Sequence, residues 1–211
     1  MHGSGRLAIW NSCKAGWEAK YERWYQSEHL IERLSIPGFE RGRRYASIDR
    51  PNAFFTYYET ATPEILISNA YLERVNNPTP MTAEIMRSAF AEMSRTVCRN
   101  LFSIGGFRGA FAATLALNTA VEEAEISDWA RDRLSSGTIA RIESWQAVEV
   151  DTAPSAEAKL RRGDRQIQAC MLVEALSEHD CARAIAELAG QFGRSTTEAR
   201  AYRLLCELTA S

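Results

Sequence analysis

The side chains best equipped for chemistry sit close together. Trp24, Tyr25, Glu28, His29, Arg43, Arg44 and Tyr45 all fall within residues 17–45. A neutral imidazole moves protons near neutral pH. A carboxylate set in an apolar stripe serves as an acid or base, or orients a substrate. An arginine offers a fork of donors to a carboxylate or a developing oxyanion. His29, Tyr25 and Glu28 are therefore the candidate catalytic groups. Trp24, Arg43, Arg44, Tyr45 and Tyr57 are the candidate substrate-binding groups. Each has an ordinary structural alternative. Glu28 could pair with Arg43 or Arg44, His29 could sit at a helix C-terminus where the dipole favours it, and the aromatics could be core.

These residues need elements to hold them. Trp17, Tyr21, Trp24, Glu28 and Ile31 recur at helical spacing, which predicts an amphipathic helix from Gly16 to about Ile36, stopped by Pro37-Gly38. Strands are predicted over 7–13, 39–48 and 54–61, the last two as a hairpin. In the second strand, alternation separates Phe39, Arg41, Arg43, Tyr45 and Ser47 from Glu40, Gly42, Arg44, Ala46 and Ile48, so the two arginines face opposite ways. Thr62-Pro63 starts a helix to about Val75, Thr82 caps another to about Met93, and 95–104 forms a fourth strand. The order β-α-β-β-α-β then returns. Strands are expected over 107–117, 139–150, 166–175 and 200–208. Helices are expected over 121–134 and from Ser177, while 151–165 reads as a solvated polar loop with Lys159, Arg161, Arg162 and Arg165.

The fold class expected is α+β, a tandem duplication of two ferredoxin-like βαββαβ units spanning residues 6–104 and 107–209. Each unit has an antiparallel sheet with one bare face. Two bare faces packed together, as a pseudo-dimeric α/β barrel, would enclose a central cavity lined by strand aromatics from among Trp10, Phe54, Phe55, Tyr57 and Tyr58.

Composition sets bounds on function. The 211 residues carry a formal net charge of −2, so nothing draws the chain to nucleic acid or an anionic membrane. Five widely spaced cysteines without a C-x-x-C pair read as reduced thiols of a cytoplasmic protein. No run is long and apolar enough for a membrane span, and no signal peptide is evident. Three dispersed histidines give no metal-ligand spacing. Phosphate-loop, dinucleotide and G-x-S-x-G patterns are absent.

The string Trp24-Tyr25-x-x-Glu28-His29-Leu30, followed by Pro37-Gly38-Phe39 and Arg43-Arg44-Tyr45, resembles the dimeric α/β-barrel superfamily, and within it EthD-like proteins. The resemblance covers about residues 7–100, with Asn77-Pro78-Thr79-Pro80 similar to an element of uncharacterised relatives. It implies a small-molecule ligand and a cofactor-independent enzyme of proton-transfer, cyclase, isomerase or monooxygenase type acting on an apolar or aromatic carbonyl compound. In that reading His29 moves a proton, Tyr25 orients it, and one of Arg43 and Arg44 stabilises an oxyanion. Two alternatives stand beside it. One is a haem-binding or haem-degrading protein with His29 as axial ligand. The other is a non-enzymatic binding or assembly module. Exposed sheet edges would also allow a homodimer.

Overall fold

Eight antiparallel strands close on themselves in the order β1-β3-β2-β8-β5-β7-β6-β4. They are β1 (Gly5–Cys13), β2 (Phe39–Ser47), β3 (Ala53–Thr60), β4 (Phe90–Ile104), β5 (Phe111–Leu117), β6 (Ile139–Ala147), β7 (Ala169–Ala175) and β8 (Thr196–Thr209). The computed structural model describes residues 3–150, 154–161, 163–193 and 196–210. Arg162, named above with the polar loop, lies outside them. The neighbour order within the first half, β4-β1-β3-β2, recurs in the second as β8-β5-β7-β6. Two long strands make the closure. β4 pairs with β1 over Phe90–Arg99 and with β6 over Cys98–Ile104, while β8 pairs with β5 and, further along, with β2. Each sheet's open edge is thereby consumed by the other.

The space between the sheets differs from the cavity expected there. Trp10, Phe55, Tyr45, Tyr57, Trp145 and Tyr202 fill it with small neighbours such as Ala8, Ala112 and Ala116. Trp10 stacks on Phe55 at 5.1 Å, and its Nε1 donates to Thr114 at 3.1 Å. At one end the filling becomes ionic, with Arg6, Arg43, Arg108 and Arg141 meshed with Glu59, Glu143 and Glu174. In a barrel of eight strands, inward side chains just fill the interior, and here they do so with residues from both halves.

Helices cover the outer face. α1 (Glu18–Trp24), a π turn (Tyr25–His29) and α2 (Leu30–Leu34) run as one helix against the first sheet. A 3₁₀ segment (Pro63–Ile67), α3 (Asn69–Asn76) and α4 (Pro80–Ser88) complete that layer. α5 (Glu123–Ser135) and α7 (Glu178–Phe192) cover the second sheet. α4 starts earlier than the sequence suggested. Thr79 is the cap, its side chain accepting from the Thr82 N–H, and Pro80 takes the first helical position, where its missing N–H costs nothing. The strand after it accordingly starts at Phe90. α6 (Ala156–Leu160) belongs to the β6–β7 connection yet packs on α3 and α4 of the first half. The polar loop expected over 151–165 is thus, in its described part, a packed strap.

Candidate functional site

The π turn decides which side chains face inward. Leu30 N–H bonds to Tyr25 O, five residues back rather than four. That extra residue advances the buried stripe by about one position. Leu30, Arg33 and Leu34 turn inward, and Ile31 stands 53% exposed where helical periodicity placed it inside. The fit is close. A Cβ at Gly42 of β2 would lie 2.8 Å from Leu30 Cδ1 and 3.0 Å from Leu34 Cδ2, so glycine there lets α2 sit on the sheet.

Glu28 leaves the stripe by the same rotation. It pairs with neither Arg43 nor Arg44. Its carboxylate accepts from the Thr79 and Thr82 hydroxyls, the latter at 2.7 Å, while Thr82 Oγ1 accepts from Trp24 Nε1 at 2.9 Å. Glu28 therefore clasps the π turn to the first turn of α4. Trp24 is fully buried behind His29, with ring centroids 4.1 Å apart.

His29 and Tyr25 open onto a cavity of about 320 Å³. It lies between the outer face of the first sheet and the helical layer, outside the barrel. Its apolar wall includes Leu7, Ile9, Val75, Met86, Phe90 and Val97; its polar wall includes Arg33, Tyr71, Arg95, Glu157, Arg161 and Asp164. Residues 154–161 and 163–166 close one side. Burial drives the His29 imidazole well below its usual pKa, and the guanidiniums of Arg33, Arg161 and Arg44 push the same way, so the ring is uncharged near neutral pH. Its Nδ1 has no hydrogen-bond partner. The Tyr25 phenol, raised by burial despite the nearby Arg44, stays protonated, with its oxygen 3.4 Å from Thr56 Oγ1.

The remaining sequence candidates surround this space or lie elsewhere. Arg44 points to the helices, forks onto Glu22 at 2.7 and 2.8 Å, and lies 4.2 Å from the Tyr25 ring centroid, backing it. Arg43, Tyr45 and Tyr57 point into the barrel, where all three bond Glu174. None of the three lines the cavity, because inward positions on β2 and β3 meet the second sheet. Phe39 departs from the expected alternation and packs with the helices at Tyr71, since a bulge between Phe39 and Arg41 shifts the register.

Sequence reasoning missed Arg33, Tyr71, Arg95, Glu157, Arg161 and Asp164. Arg33 Nη2 lies 2.6 Å from both oxygens of Glu157, and this pair is buried. Arg161 forks onto Asp164 at 3.2 and 2.7 Å, and Arg95 Nη2 donates to the Tyr71 hydroxyl at 2.7 Å. One available signal was length. The β6–β7 connection is far longer than the turn joining β2 to β3.

No protein-family model and no curated protein sequence matches the chain. Solved structures do. An anthrone oxidase-like protein superposes with a TM-score of 0.61 at 9% identity, over 99% of this chain and 94% of that one. A proposed monooxygenase from Fusobacterium nucleatum gives 0.56 at 9% identity, over 100% and 94%. A haem-binding protein from Thermus thermophilus gives 0.50 at 8% identity, over 98% and 92%. The shared feature is the fold, an α+β arrangement of helices around an antiparallel barrel. The residues here do not fit haem. His29 Nδ1 lacks the acceptor that orients an axial imidazole, its ring is held against Trp24, and the cavity is at the small end of ligand sites. Among the described residues, no group of three His, Cys, Asp or Glu side chains is placed to hold a metal ion. Among the same residues, no helix is long and apolar enough to cross a membrane.

Proposed function

We propose that the cavity binds a small apolar, aromatic compound bearing an acidic C–H or O–H, and that His29 takes its proton. One observation carries this reading. An uncharged imidazole and the guanidiniums of Arg33 and Arg161 line one space of about 320 Å³ whose walls are about equally polar and apolar. Arg33, Arg95 and Arg161 outnumber Glu157 and Asp164 on the wall by one, and this positive excess beside an uncharged base favours the anionic form of a ligand. Tyr25, a protonated phenol at the same wall, donates to the developing oxyanion. The likeness to an anthrone oxidase-like protein supports an enolisable aromatic ketone as the substrate class. Removal of a methylene proton by His29 gives the enolate. Dioxygen then oxidises it, and a ketone such as anthrone becomes the quinone with release of one water. The Trp24–Leu30 string supports an EthD-like kinship, and the recurring strand order supports repeats over 6–104 and 107–209, of which only the first keeps the proton-transfer residues.

The test uses anthrone. Deuterium exchange at its methylene, followed by proton NMR under nitrogen, isolates proton transfer from oxidation. Wild-type protein is expected to accelerate exchange over buffer, and His29→Ala to lose on the order of 100-fold with its unfolding transition intact. No acceleration by wild type, or equal acceleration by the variant, would overturn the reading.

A further inference from the structure

The buried pair Arg33–Glu157 joins the two halves of the chain across the cavity wall. Arg33 comes from α2 of the first half, and Glu157 from α6, inside the second half's β6–β7 connection. The pairing is incomplete. A guanidinium and a carboxylate at their best share two parallel bonds from two nitrogens. Here Nη2 alone serves both oxygens, and Nη1 is buried with no partner. Arg33 is only 3% exposed, so half of a desolvated cationic fork is left unused beside the ligand space. Among the described residues, α6 is held by few other polar contacts. The Ala156 N–H donates to Asn76 Oδ1 at 2.9 Å, and Arg161, just beyond α6, donates to Met86 Sδ at 3.1 Å and pairs with Asp164 of its own segment.

We propose that Glu157 is a built-in competitor. Its carboxylate occupies the anion site of Arg33, and a ligand with an anionic group enters by taking Arg33 from it. This rests on the cavity being the ligand site and adds the ligand's charge and the residue that selects for it. The exchange conserves ionic pairing for Arg33 and fills its empty Nη1. A neutral ligand gains neither, so the site discriminates by charge although about half of its wall is apolar.

Two naphthalene probes test this by fluorescence titration. 8-Anilinonaphthalene-1-sulfonate is an aromatic anion, and N-phenyl-1-naphthylamine is its neutral counterpart. Glu157→Gln keeps the volume and removes the competing charge. The sulfonate should bind that variant about tenfold tighter than wild type, with the neutral probe changed by less than about twofold. Arg33→Gln/Glu157→Gln should lose the whole gain. Equal tightening of both probes would mean only a loosened segment and would overturn the proposal. So would no change, or a gain that persists in the double variant. Anthrone exchange by wild type is read separately. Protein that exchanges anthrone but shows no charge selection keeps the proton-transfer reading and loses this one. Protein that shows charge selection without exchange does the reverse.

Discussion

His29→Gln tests the buried neutral imidazole through stability alone, without a substrate. In the unfolded chain His29 takes up a proton near pH 6.5; in the native protein burial, then Arg33, Arg161 and Arg44, hold it deprotonated well below that. Below pH 6.5 the unfolded state therefore binds more protons than the native state at this site, and stability falls as pH falls. While the native ring stays neutral, the loss attributable to His29 is about 1.4 kcal/mol one pH unit below its unfolded value and about 2.7 kcal/mol two units below. Glutamine cannot take up the proton, and every other titrating group is common to both proteins. The wild-type-minus-variant difference should thus drift in favour of the variant as pH falls below about 6.5, by those amounts for as long as the native ring stays neutral. Urea unfolding at four pH values reads it directly. A scanning measurement would show it as a relative change in Tm of about 5–11 °C. Parallel stability profiles would refute the argument, because they would mean that His29 protonates in the native state as readily as in the unfolded chain.

Two further outcomes follow from the geometry. Burial alone would push Glu143 up, but Arg6, Arg141 and Arg108 outweigh it and hold the carboxyl at about 2. Its stabilising contribution is therefore full above pH 4.5, the unfolded value, and is lost as pH falls from there toward 2. Glu143→Gln should cost about 3–5 kcal/mol near neutral pH by leaving buried guanidiniums unpaired, with the deficit shrinking in acid; equal urea midpoints at pH 7 would contradict this. The π turn makes a paired prediction. Leu30→Ala should cost about 2–5 kcal/mol, whereas Ile31→Glu should stay within about 0.5 kcal/mol; the reverse order in chemical denaturation would restore an uninterrupted α-helical stripe.

Much of the scaffold was legible because period-two and helical patterns are local. The strand faces of Arg43 and Arg44, and the Pro37-Gly38 stop, follow from alternation and from backbone chemistry. The site was less legible for identifiable reasons. Helical spacing assumes 3.6 residues per turn, so the π turn put Ile31 and Glu28 on the wrong face and hid Arg33. Glu28 finds Thr79 and Thr82 through space, at a separation no period encodes. Arg161 looked like a member of a solvated charge run, and Glu157 gave no signal, because the partner of Glu157, Arg33, is set by where the strap lands. The filling of the barrel needed Trp145 and Tyr202 of the second half to meet Phe55 and Tyr57 of the first, which alternation within a strand cannot state.

The location of the cavity follows from that filling. Inward positions carry large aromatics at one end of the barrel and paired charges at the other, so the open space lies in the helical layer. The second layer offers little. β5 reads FAATLAL, and Ala113, Ala130 and Ala184 let α5 and α7 approach the sheet closely around Ile126 and Leu188. The first layer has more elements and bulkier spacers. Trp24, Tyr21, Phe90 and Tyr71 prop the helices off β1 and β4, and the strap that carries Glu157 closes one side of the gap they leave. The second half thus contributes closure and charge to this cavity. The two halves share this cavity: the first supplies His29, Tyr25 and the apolar wall, and the second supplies Glu157, Arg161 and Asp164.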